Sequence, residues 1–187
     1  MKLSSIIVTS VACLCLQTAP AGAQSAQEKE TARNATRERL RQVLETAGKR
    51  SDVNVTFRQS DTQPYNFVGV LQSGLSHTDG LEIVISVTAA ETIGFRVYPH
   101  YKGGYINVDK AKDGPALMRR LLSWSHSNFL FWGIDEANDV FCGYTITLES
   151  GFPPEVIEIV LRSVRNTDGF VGEMRALIDG SSPSGGS

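Results

Sequence analysis

The chain has 187 residues, with 18 Lys and Arg against 20 Asp and Glu, and 41% of it is apolar. This near-neutral balance excludes the basic excess expected of a nucleic-acid binder. Three cysteines are too few for a disulfide scaffold, and the length suits one hydrophobic core of ordinary size.

Met1 to Ala23 has the layout of an export signal: Lys2, an apolar run through Ile6-Ile7-Val8 and Val11 to Leu16, and Ala21-Gly22-Ala23 as a cleavage site. The run is shorter than the about 20 residues that span a bilayer. A rival reading makes Ser10-Val11-Ala12-Cys13 a lipoprotein box with Cys13 lipidated. Cleavage after Ala23 would leave Cys142 as the one remaining thiol, and 17 basic against 20 acidic residues once Lys2 is gone, a net charge of −3.

Residues 24–50 form a polar leading helix. Leu40, Val43, Leu44 and Ala47 make a narrow apolar stripe, Gly48 gives a stop, and the first ten residues lack the stripe and read as fraying or linker. Val53, Val55 and Phe57 alternate with polar neighbours, as a half-buried strand does. Tyr65 to Leu71 is a second strand, with Gly69 marking a bulge. Leu81 to Ala89 and Ile93 to Val97 continue the alternation, and Tyr105 to Val108 reads as a short edge strand. Asp113-Gly114-Pro115 opens a helix that carries Leu117, Leu121 and Trp124 on one face. Two strands follow, Phe129 to Asp135 and Val140 to Leu148. Pro153 and Pro154 start a helical pattern reaching Ile178, either continuous or broken at Asn166 to Gly169. Ser181 to Ser187 is a Gly/Ser-rich tail.

The segment from Leu117 to Ile178 resembles the YbjN-like proteins, whose fold is similar to that of the type III secretion chaperones. The carriers are the Trp124 helix, the Phe129-Leu130-Phe131-Trp132-Gly133-Ile134-Asp135 strand, the acidic turn, the alternating Val140 to Leu148 strand and the Pro-started helix. The resemblance implies a compact α+β domain, often dimeric, with a binding or regulatory role; members are commonly labelled sensory transduction regulators. The export signal and charged leading helix depart from that pattern, so a cytosolic role does not transfer directly.

Chemistry-bearing residues are sparse. Cys142 shares its parity with Val140, Tyr144, Ile146 and Leu148, which predicts an inert core thiol; an intermolecular disulfide is the alternative. His77, His100 and His126 make no i, i+4 metal pair, and the Gly-x-Ser-x-Gly elbow is absent. Asp135, Glu136 and Asp139 fit a hairpin turn better than a calcium loop. Arg33, Arg37 and Arg41 share a helix face that nearby glutamates neutralise, an anionic partner being the other reading. Among the aromatic residues, Tyr98, Tyr101, Tyr105, Trp124 and Trp132 suit a binding surface, with Trp124 assigned to the core.

The expected architecture is α+β, an antiparallel sheet covered by helices in the order α-β-β-β-β-α-β-β-α, secretion-chaperone-like. A leader occupies 1–23, a leading helix 24–50, the YbjN-like domain 51–180 and the tail 181–187. The expected function is a bacterial periplasmic or secreted protein, non-enzymatic, homodimeric and chaperone-like or regulatory. It would hold a protein client through a sheet face or groove, with Trp132, Tyr105 and Tyr101 as contact residues. No cofactor, metal, nucleic acid or membrane contact is expected. The alternative is a monomeric binder of a small molecule or envelope surface, using a cavity between the sheet and the Pro153 to Ile178 helix.

Overall fold

The computed structural model describes residues 21–127 and 130–181. The leader, the lipidation reading of Cys13 and the Gly/Ser tail lie almost wholly outside them. Among the described residues no helix is long and apolar enough to cross a membrane.

The elements are α1 (Ala21–Ala47), β1 (Arg58–Gln59), β2 (Asn66–Leu71), β3 (Gly80–Val87), β4 (Thr92–Tyr101), β5 (Gly104–Tyr105), α2 (Gly114–Ser127), β6 (Phe131–Ile134), β7 (Val140–Thr147), α3 (Pro154–Ser163) and α4 (Thr167–Ile178). The strands form one antiparallel sheet in the order β1-β2-β3-β4-β7-β6, with β5 paired to the end of β4. The expected α+β architecture is the one found, with an additional short strand before α2.

Alternation along the strands decides which face is covered. Ile83, Ile85, Phe95, Val97, Cys142 and Trp132 point to the helices and are buried. They share one core with Leu40, Leu44 and Ala47 of α1, Leu117, Leu121 and Trp124 of α2, Ile157 and Leu161 of α3, and Val171 and Met174 of α4. Side chains of the sheet and of α3–α4 thus meet in this core. Asp113 caps α2, its Oδ1 accepting from Ala116 N at 2.9 Å, so the Asp-Gly-Pro opening acts as its residue types predict.

Four local expectations are corrected. Val53 and Val55 are buried, but the segment is not a strand: its alternation is real, yet only Arg58 and Gln59 find ladder partners. Gly69 sits in an unbroken β2–β3 register opposite Ile83, so there is no bulge. A Cβ there would lie 2.5 Å from Val55 Cγ1 and 2.8 Å from Phe57, so the glycine makes room for that segment. The first part of α1 is helical rather than frayed, and polar anchors hold it. Arg33 donates twice to the Val87 carbonyl, at 3.0 and 2.8 Å, and its guanidinium lies 3.5 Å from the Tyr65 ring centroid. The C-terminal helical pattern is interrupted by a 3-10 turn at Val164–Asn166, slightly earlier than the alternative break.

Candidate functional site

Among the described residues, the other face of the sheet carries no helix. Register places its residues in cross-strand rows: Arg58, Val68, Val84, Arg96, Gly143 and Phe131 form one row. Val70, Glu82 and Tyr98 form the next, continued by the Phe141 ring 5.6 Å from that of Tyr98. An antiparallel sheet with one solvated face normally presents polar residues there. Here valines and aromatic rings interrupt that pattern.

Two reciprocal Phe–Gly pairs shape the β6–β7 end. Phe131 lies opposite Gly143, and Phe141 opposite Gly133. Each ring lies over the bare backbone of its partner: a Cβ on Gly143 would be 2.6 Å from Phe131 Cζ, and one on Gly133 would be 3.2 Å from Phe141 Cζ. The rings meet edge-on at 6.0 Å. Phe141 is thereby buried from both sides, whereas Phe131, nearer the rim, stays 43% exposed. Arg96 stacks over Phe141 with its guanidinium carbon 4.8 Å from the ring centroid. Beside it a depression of ≈ 500 Å³ opens among Val84, Ser86, Gly94, Arg96, Phe131 and Thr145.

The sheet edge next to Phe131 is closed to an added strand. The Trp132 backbone points away from β7, and Ser125 Oγ of α2 accepts from its N–H at 2.7 Å and lies 3.1 Å from its C=O. The single hydroxyl proton is shared between that carbonyl and the Leu121 carbonyl at 3.0 Å, and the occupied Trp132 N–H weakens the template for strand addition.

The three residues singled out from the sequence are not brought together. Tyr105 is on the open side, 44% exposed, its OH donating to Glu82 Oε2 at 3.1 Å and its ring edge-on to His100 at 4.6 Å. Burial and the Glu82 carboxylate push its phenol up to about 12. Tyr101 is on the helix side, donating to Asp179 Oδ2 at 2.9 Å beside the Lys102–Asp179 ion pair at 2.5 Å. Trp132 is only 4% exposed, wedged between Trp124 and Phe170 at ring separations of 5.4 and 5.5 Å. It offers a partner no surface in this conformation. The expectation of Trp132 as a contact residue is corrected: the bulkier indole belongs to the core, and its neighbour Phe131 to the surface. Phe131, Arg96 and Val84 were missed because single exposed residues on a strand carry no motif.

Other chemistry-bearing groups are occupied locally. Cys142 is fully buried, and that burial pushes its thiol up to about 12, beside Thr167 Oγ1 at 3.3 Å. Asp135 Oδ1 accepts from Ala137 N and Asp139 N, closing the β6–β7 turn as an Asx-type bend. Among the described residues no group of three or more His, Cys, Asp or Glu is placed to hold a metal.

No protein-family model matches the chain, and no curated protein matches it. Its structure is similar to that of YbjN, a candidate transcription regulator from E. coli, at 14% identity over 74% of this chain and 90% of that chain, with a TM-score of 0.47. It is also similar to the ExsC–ExsE complex, at 17% identity over 77% of this chain and 97% of that chain, with a TM-score of 0.45. The resemblance read from the sequence is met again in the structure. It concerns the fold.

Proposed function

We propose that the chain is an exported, non-enzymatic binding protein, chaperone-like or regulatory, that holds a protein client on the open face of its sheet. The observation that carries this reading is the uncovered row of Val68, Val84 and Phe131, with Val70 and Tyr98 beside it, on a face that water would otherwise select to be polar. Export rests on the leader-like Met1 to Ala23 and would place the protein in the periplasm or outside the cell. A homodimer belongs to the same reading. Leu122 on α2 and Val156 and Ile159 on α3 are exposed, leaving apolar surface for self-association on the helix side.

A native mass spectrum of protein isolated gently from its own host tests the reading. Wild type is expected to carry an extra polypeptide, and Val84→Thr, which keeps the β-branched shape, to arrive with less of it while remaining folded. A bare wild-type species, or one carrying only a small adduct, sinks the client reading; the adduct would favour a small-molecule binder.

A further inference from the structure

Among the described residues, the strands of the open face carry three charged side chains, and two are already engaged. Arg58 pairs with Asp61 at 3.5 Å, and Glu82 accepts from Tyr105. Among the described residues Arg96 has no carboxylate partner; its contact is the Phe141 ring. The guanidinium is exposed and held in place by that stack, so its forked donors are pre-set for a planar anion.

Two residues along β4, on the same face, Gly94 leaves bare backbone. A Cβ built there meets nothing within 4 Å, and the Phe131 ring and Val84 help line the depression above it. This makes a seat beside a cation, apolar toward Val84 and Phe131 and hydroxyl-lined by Ser86 and Thr145, the cross-strand neighbours of Gly94. The two are separated by the strand repeat of about 7 Å. An extended polypeptide has the same repeat, so its side chains at i and i+2 match the seat and the cation together. On the far side of Arg96, Asp135 and Glu136 line a second depression. They disfavour an anion arriving from that side and leave the Gly94 side as the approach.

We infer that the client bound on this face is an extended acidic–apolar segment, with an apolar side chain over Gly94 against Phe131 and a carboxylate two residues along on Arg96. This inference rests on the open-face reading proposed above and names the chemistry that face selects.

The test uses the ¹⁵N-labelled full chain and two capped peptides, Thr-Phe-Thr-Glu-Thr and the same peptide with Gln for Glu. The Glu peptide is expected to shift the Gly94, Arg96 and Gly143 amides and to bind about tenfold more tightly than the Gln peptide, the increment typical of a charge-assisted hydrogen bond. In Arg96→Gln, an exposed substitution that leaves the amide dispersion intact, the two peptides should bind alike. Equal binding of both peptides to the same amides of wild type would overturn the carboxylate assignment while leaving the open-face reading standing. Shifts confined to the helix side, or no shifts at saturating peptide, would overturn both. Concentration-dependent broadening of the same amides without peptide would overturn the inference by making a second copy the occupant.

Discussion

The carboxylate of Asp168, in the first turn of α4, accepts from the backbone N–H groups of Ser76, His77 and Thr78 and from the Thr78 hydroxyl, at 2.8–2.9 Å. One side chain thus ties the β2–β3 loop to the last helix, assisted by Arg165, which donates to the carbonyls of Ser73 and Gly74. Burial alone would raise the Asp168 carboxyl; the N–H and hydroxyl donors outweigh it and hold it below the usual carboxylate range. Asp168→Ala strands those three N–H groups, and is expected to cost about 2–3 kcal/mol in chemical denaturation. Because the folded carboxyl is depressed, its contribution is fully present above the unfolded value of 3.8 and is lost as pH falls through the lower folded value. The stability gap between wild type and Asp168→Ala should therefore be constant at neutral pH and narrow below about pH 4. A gap that stays unchanged through that window would assign the loss to packing rather than to the ionised carboxylate.

At the scale of elements, β6 shows how an edge strand of four residues is kept from pairing with other chains. Ser125 stands on α2 so that its hydroxyl meets the outward backbone of Trp132, while the Trp124 ring one position earlier packs on the Trp132 indole. Ser125→Ala is expected to cost about 1–2 kcal/mol, since the Trp132 edge N–H loses its protein partner. It should also raise self-association in sedimentation velocity; an unchanged sedimentation profile would show that α2 shields the edge sterically without the hydroxyl. Periodicity in the sequence reports burial, and this is why β3, β7 and the core face of α2 were legible. It does not report hydrogen-bond partners. Val53 to Phe57 alternate in burial as a strand would, yet the amide of Val55 goes to the carbonyl of Gly48 rather than to a ladder. The start of α1 failed in the opposite sense. It has no apolar stripe because Arg33 docks it by hydrogen bonds and stacking, which leave no periodic trace.

Across the whole molecule, the sheet divides two kinds of work between adjacent residues of one strand. Trp132 faces the helices and joins Trp124 and Phe170 where β6, α2 and α4 meet. Phe131 faces away, over Gly143, at the rim of the open surface. A strand alternates, so adjacent residues face opposite ways, but periodicity does not say which face is covered, and Trp132 was assigned to the wrong one. Only the placement of α2 and α4 on one face decides that, and their placement depends on contacts far apart in the chain. Trp132→Ala is expected to lower stability by about 3–5 kcal/mol, the usual cost of removing a large buried aromatic side chain. Phe131→Ala removes a half-exposed ring from a cross-strand pair and is expected to cost about 1 kcal/mol or less. The order reverses for binding of an acidic–apolar peptide, followed by amide shifts at Gly94 and Gly143. Phe131→Ala should weaken it several-fold in a protein that remains folded. Trp132→Ala, measured at a temperature where its folded fraction is still high, should bind as wild type does. Equal loss of binding in both variants at matched folded fraction would mean that the two faces of β6 are not separable, and would remove the open sheet face from its assigned role.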